Sequence, residues 1–233
     1  MDRMDPMPRR ADEIMQIGTR EVERSMSRLK YRLATLAVAV VALGAIAAPA
    51  AQADTIIPFT NWQVGGTLGV KKLNQNISIP AGSTFNGSAN LTQGTLSGDT
   101  TIPDFDATVK VLGVPTRIGL SIKETAPASG TLTLNSDGTV TLDAPVASDI
   151  RIRTLSLGLL SIPAGFNCHT SSPVVLPLHA TAPLATALSS GLTFSGTYVL
   201  PKLTGCGLLT PTLNLLMAGP SNPFNVTFRP PAS

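Results

Sequence analysis

The stretch "GTLTLNSDGTVTLDAP", Gly130 to Pro145, decides the fold. Leu132 and Leu134 alternate with threonine, Val140 and Leu142 alternate again on the return, and "NSDG" stands between them. Apolar residues at period two on one face mark a half-solvated antiparallel pair. The four-residue loop Asn135 to Gly138, closing on glycine, predicts a type I turn ended by a left-handed residue. Asp137 lacks the ladder of alternating acids that a calcium loop needs, so it reads as a turn residue.

The same pattern extends outward. Strands are expected at Thr108 to Leu112, Arg117 to Ile122, Asp149 to Leu155, Thr193 to Leu200 and Asn225 to Phe228. "TNWQVGGTLGV", Thr60 to Val70, reads as a first strand in which Gly65-Gly66 marks a bulge or a close backbone approach. Trp62, the sole tryptophan, reads as a plug at one end of the core. Short strands punctuated by glycine and proline predict a sandwich or barrel. Near the C-terminus, "TPTLNLLMAGP" predicts one short helix: Thr210 as N-cap, Pro211 as first helical residue, Gly219-Pro220 as the stop. The expected class is therefore all-β, an antiparallel β-sandwich with one short C-terminal helix lying on a sheet end.

A repeat bears on how that sandwich is assembled. "SIPAG" occurs at Ser78 to Gly82 and again at Ser161 to Gly165. Downstream of each comes apolar-Ser-Gly, three residues, then Ile-Pro or Leu-Pro: "LSGDTTIPDF" at Leu96 to Phe105 and "FSGTYVLPKL" at Phe194 to Leu203. Proline has no donor to continue a ladder, so such a unit ends a strand. Two readings stay open: pseudo-symmetric halves, residues 54–148 and 149–233, or coincidence in a chain rich in these residues.

The N-terminal region reads as a leader. "LATLAVAVVALGAIAAPAA", Leu33 to Ala51, follows Arg28, Lys30 and Arg32 and meets a small-residue cleavage site at Ala51-Gln52-Ala53. Residues 1–53 thus form leader and signal peptide, with Met26 the expected start, and no stable membrane span is expected after cleavage. The mature domain is residues 54–233. Eight of the 17 Lys and Arg residues and six of the 14 acids precede Asp54, which leaves nine and eight, a net charge of about +1. Clustered cations for nucleic acid are missing from such a chain, and nucleic acid is not an expected partner.

Little in the sequence carries chemistry. Cys168 and Cys206 are the only cysteines and are expected to pair in an oxidising compartment, closing a loop of about 39 residues worth roughly 4 kcal/mol. A metal site using His169 lacks further spaced ligands, so no metal and no cofactor are expected. His169 and His179 have no Gly-x-Ser-x-Gly elbow to serve. Asp104 and Asp106 share parity on one strand, as a carboxylate pair for glycoside cleavage would, but "IPDFDATVKV" reads as a solvated strand start. The four Asn-x-Ser/Thr sequons at Asn76, Asn86, Asn90 and Asn225 read as turn and strand-edge residues. The apolar, proline-punctuated segment Ser171 to Gly196 reads as interrupted for a strand and greasy for a loop. It is either a flap tied down by the disulfide or the lining of an apolar groove, with Val174, Leu176, Leu178, Leu184 and Leu188 along it.

"FSGTYVLPKLTGCGLLTPTLNLLMAGPSNPF", Phe194 to Phe224, with the upstream Cys168 and "PVVLPL", is similar to exported domains of unknown function found in actinobacteria. The resemblance spans roughly residues 168–228 and implies a secreted or envelope-associated β protein; it transfers no catalytic residue. The expected role is a non-catalytic interaction or structural module with an unknown protein, envelope or apolar partner. The alternatives are an extracellular carrier of an apolar, lipid-like ligand and, third, an extracellular hydrolase.

Overall fold

A computed structural model describes residues 53–111, 113–157, 160–164 and 167–231. The basic region, apolar run and Met26 of the expected leader lie outside the described residues, as do Leu112 and Gly165.

The hairpin forms between β7 (Ala128–Leu134) and β8 (Thr139–Leu157), with Leu132 opposite Leu142 and Leu134 opposite Val140. Gly138 N–H donates to the Asn135 carbonyl at 3.1 Å, and Gly138 takes a φ of +79° that a side chain would strain. The Asp137 carboxylate accepts from the Thr139 hydroxyl at 2.7 Å and its N–H at 2.9 Å, and these bonds hold Asp137 below its ordinary pKa. Leu132 and Leu142 are buried, whereas Leu134, beside the turn, stays exposed.

Among the described residues there are fourteen antiparallel strands in one hydrogen-bonded sheet. The remaining strands are β1 (Ile56–Val70), β2 (Gln75–Ser78), β3 (Thr84–Asn90), β4 (Thr95–Thr101), β5 (Phe105–Val111) and β6 (Val114–Glu124) before the hairpin. After it come β9 (Leu160–Pro163), β10 (His169–Thr170), β11 (Val174–Pro183), β12 (Leu192–Leu200), β13 (Leu203–Thr204) and β14 (Gly219–Arg229). The principal order runs β12-β14-β1-β3-β4-β7-β8, and β11 pairs with the free edge of the first half of β8. The sheet curls until β11 and β12 lie alongside each other; among the described residues no ladder joins those two. The result is sandwich-like, with the inward side chains of both layers in one core.

The 19-residue β8 organises both ends of this core. Its first half lies between β7 and β11; from Ser148 onward it pairs with β6, and Arg151 faces His169 of β10. Residue 148, where the sequence was divided into halves, falls inside this strand. The "Ser-Gly" of the two longer repeats shares a local task in the structure. A Cβ on Gly98 would stand 2.5 Å from the Phe85 ring, and one on Gly196 would stand 2.9 Å from the Phe224 ring. In each case a phenylalanine of the neighbouring strand lies over the glycine, which restores packing that a bare strand position lacks. Of the paired glycines in β1, Gly66 marks a close approach: a Cβ there would run into the Asn225 backbone carbonyl of β14. The register shift in β1 lies earlier, between Phe59 and Trp62.

Ser171 to Gly196 departs from expectation: it is strand, helix and strand. β11 keeps alternating burial, Val174 and Leu178 inward, despite its prolines. Pro177 faces Pro145 across the ladder, a place where neither residue is asked to donate. Among the described residues, two short α-helices stand where one was expected. The first, α1 (Leu184–Ser190), follows Pro183 and ends at Gly191, which has φ +89°. The second, α2 (Thr210–Leu216), has Leu209 as its N-cap and Thr210 already inside it, so Thr210 does not cap. Leu213 and Met217 bury on its inner side, and Asn214 ties it to β13 by accepting from Leu203 N–H at 2.6 Å and donating to the Leu203 carbonyl at 2.9 Å. Cys168 and Cys206 form a disulfide between two fully buried positions beside β10 and β13.

Candidate functional site

Among the described residues, three apolar cavities follow one another through the core. The first, of about 70 Å³, lies at the α1 end; the second, about 50 Å³, shares Thr100, Val146, Leu178 and Phe228 with it. The third, about 30 Å³, shares Leu68, Ile122, Ile150 and Tyr198 with the second and ends on Met217, just past α2. Their succession follows the direction of β8, from Val140 and Leu142 at the first to Ile152 at the third.

The first cavity has an aromatic wall. Phe59 meets Trp62 edge-on at 4.8 Å, Phe85 meets Phe228 at 5.5 Å, and Phe228 meets Phe194 at 5.6 Å. Four of the seven phenylalanines and the only tryptophan line this one space. Edge-to-face pairs are stiff, since each ring's position is fixed by the next. The opposite wall is aliphatic, from Leu132 of β7, Val140 and Leu142 of β8 and Leu178 of β11. Leu184, Ala187 and Leu188 of α1 cover part of the open side, an i, i+3, i+4 stripe with its apolar face inward. Among the described residues, Thr100 is the only lining residue with a polar side chain apart from the Trp62 indole.

At about 70 Å³ the space exceeds the ~10–15 Å³ that one water requires, but a water also needs two or more polar partners. Such a wall offers few, and apolar cavities stay dry and take up apolar guests. Each methylene moved there from water gains about 0.8 kcal/mol.

Tyr198 separates the second and third cavities; its hydroxyl donates to the Gly69 carbonyl at 2.9 Å, and burial pushes its pKa up to about 12. It remains a neutral donor. In the wall of the second cavity stands Glu124, at the end of β6. Its Oε2 accepts from Thr100 N–H at 2.8 Å, joining β6 to β4 where β7 no longer pairs with β4. Burial raises its pKa, the Thr100 bonds oppose that, and Asp99 adds to it. Glu124 Oε1 and Thr100 Oγ1 are both buried without a hydrogen bond of good geometry.

The five residues expected along a groove divide between two adjoining cavities. Leu184 and Leu188 line the first, Val174 and Leu176 the second, and Leu178 both. Glu124 and Thr100 were not singled out from the sequence, although Glu124 continues the inward parity of Ile118, Leu120 and Ile122.

Other candidates disperse. Asp106 pairs with Arg117 at 3.0 Å, and Asp104 with Arg153 at 3.5 Å and Lys123 at 3.9 Å. The Ser121 hydroxyl holds Asp104 below its ordinary pKa, opposed by desolvation and helped by Arg153 and Lys123. His179 approaches Asp143 at 3.7 Å across the β8–β11 ladder, both side chains exposed on the outer face. His169 Nδ1 lies 2.8 Å from the Asn167 carbonyl. Among the described residues no group of three or more His, Cys, Asp or Glu is placed to hold a metal ion, and no helix is long and apolar enough to cross a membrane. No family model, curated protein or solved structure matches the chain.

Proposed function

We propose that the protein is an exported, non-catalytic binder of an apolar ligand, seated in the first cavity beneath α1. The observation that carries this reading is the composition of that wall: four phenylalanines, a tryptophan and aliphatic side chains around one void. Small-molecule sites are concave and mostly apolar, and the carrier role is one of those open from the sequence. Export is supported by the buried disulfide together with the leader read at residues 1–53.

The test is a titration of the full chain with xenon, followed by methyl NMR. Saturable shifts confined to methyls such as those of Leu132, Leu178 and Leu188 are expected. Absence of shifts under xenon pressure would overturn the reading.

A second reading, the interaction module, has one observation in its favour. Leu208 is 99% and Leu215 73% exposed on the outer side of the α2 region, apolar area that a solitary domain gains nothing by displaying. Sedimentation of the full chain tests it in its self-associating form: the reading expects concentration-dependent association that Leu208→Ser with Leu215→Ser abolishes.

A further inference from the structure

The solvent side of α2 lacks the charged residues that a surface helix ordinarily shows there. The 3-10 turn Gly207–Leu209 runs directly into α2, so Leu208 and Leu215 stand about two helical turns apart on one line. With Pro211 and Thr212 they make an exposed stripe without charge, opposite the buried Leu213 and Met217. Lysines border it. Lys72 Nζ reaches the Asn214 carbonyl at 3.5 Å, and Lys71 precedes it on the 3-10 turn Lys71–Leu73. Lys202 precedes Leu203, whose N–H and carbonyl Asn214 holds. All three lysines are exposed, and among the described residues none forms an ion pair. No acid stands between Asp54 and Asp99 or after Asp149, the stretches that build α2, β13 and the lysine-bearing turn. Asp104 and Asp106 are engaged elsewhere, by Arg153, Lys123 and Arg117.

We propose that this face docks on an anionic lipid surface, with Leu208 and Leu215 inserted at the headgroup boundary and Lys71, Lys72 and Lys202 against the lipid phosphates. The proposal rests on the reading of the α2 face as an interaction surface and names its partner. An apolar stripe rimmed by lysines binds a membrane interface by burying the stripe and by attraction to anionic lipids. A second copy is the wrong partner: a two-fold contact brings the same patch from each side, so lysines would meet lysines, and such like-charge juxtaposition is costly. A protein partner is anchored chiefly by aromatic or arginine side chains in pockets, with leucine under-represented and lysine depleted. The stripe offers leucine on the outside of a helix, and its border offers lysine.

The test uses the full chain carrying Leu215→Trp, with vesicles of phosphatidylglycerol or phosphatidylcholine that contain bromine-labelled lipid. Trp62, the one native tryptophan, is buried beside the first cavity and gives the baseline in the parent chain. The introduced indole should shift to the blue and be quenched on phosphatidylglycerol at lipid concentrations at least about tenfold below those needed on phosphatidylcholine. Adding Lys71→Gln, Lys72→Gln and Lys202→Gln should raise the half-quenching concentration roughly a hundredfold, about fivefold for each lysine, and adding Leu208→Ser should raise it as well. The apolar run at residues 33–51 is common to every variant, so the ratios between variants read the α2 face alone. Equal quenching on the two lipids, or a triple-lysine variant that binds as its parent does, would overturn the proposal. So would an equal blue shift with poly-L-glutamate, in favour of an acidic protein partner. Absence of quenching on either lipid, with concentration-dependent sedimentation intact, would overturn the lipid assignment and leave the interaction surface standing; absence of both would remove that surface too.

Discussion

The two ends of the core are built differently. At the α2 end a disulfide, a helix held by two Asn214 bonds and a 30 Å³ void make a closed base. At the α1 end, the helix contributes one apolar stripe, five aromatic rings stand around the space, and the void is about 70 Å³. Covalent and polar ties therefore gather where the void is smallest, and aromatic area gathers where it is largest. A fold under pressure for stability alone would fill the larger void, because empty apolar volume costs about 24 cal/mol per Å³. Under the proposed binding role, a void at the end away from the cross-link would let a guest enter while the scaffold stays intact.

The largest expected effect breaks the base. Cys168→Ala with Cys206→Ala should lower unfolding free energy by roughly 4 kcal/mol, read from urea denaturation, while xenon affinity at conditions where the variant is folded stays within a few-fold of the parent. Loss of binding without loss of stability would reverse the assignment of the two ends. Next comes the mouth. Ala187→Phe fills the space below α1 and should weaken xenon binding at least tenfold, at an overpacking cost of about 1–3 kcal/mol; unaltered affinity would place the ligand elsewhere.

A smaller effect concerns Glu124 and pH. Its folded pKa is raised, so the folded state binds this proton more tightly than the unfolded chain. The contribution is fully present below the ordinary glutamate range and is lost as pH rises through the raised value. Glu124→Gln, which still offers an oxygen to Thr100 N–H, should therefore gain stability relative to the parent as pH is taken upward through that window. A gap that shrinks instead, in paired urea melts, contradicts the burial argument. The smallest effect is expected outside the core: Leu215→Ser, at a 73% exposed position, should change stability by no more than about 0.5 kcal/mol.

The same contrast explains what could be read from the sequence. The β7–β8 hairpin was legible because its pattern is local: alternation, turn residues and Gly138 lie within 16 residues, and the hydrogen bonds of the turn follow from them. Cys168 and Cys206 had no other cysteine to pair with, so their bond needed no geometry to foresee. β3 was missed because "TFNGSAN" looks like loop, whereas β4 was legible only as the strand that the Ile-Pro of "LSGDTTIPDF" ends; its Gly98 is covered by the Phe85 ring, a neighbour supplied by pairing. β11 was missed because Pro177 and Pro183 suggest interruption, and only the register shows Pro177 facing Pro145. The five groove residues were grouped as apolar side chains along one proline-punctuated segment; the structure puts them at one parity of β11 or on one face of α1. That they split between two cavities depends on how the sheet curls, a long-range outcome. Glu124 reads locally as a polar strand end; its burial comes from β4 crossing beside it.

Xenon tests the central claim most directly, since it is apolar, small enough for the first void, and visible without chemistry. Crystals of the protein under xenon pressure should show one occupied position bounded by Leu132, Leu178 and Phe228, with none beside Met217. Xenon at the disulfide-bonded base with an empty α1 end, or at neither end, would contradict the account.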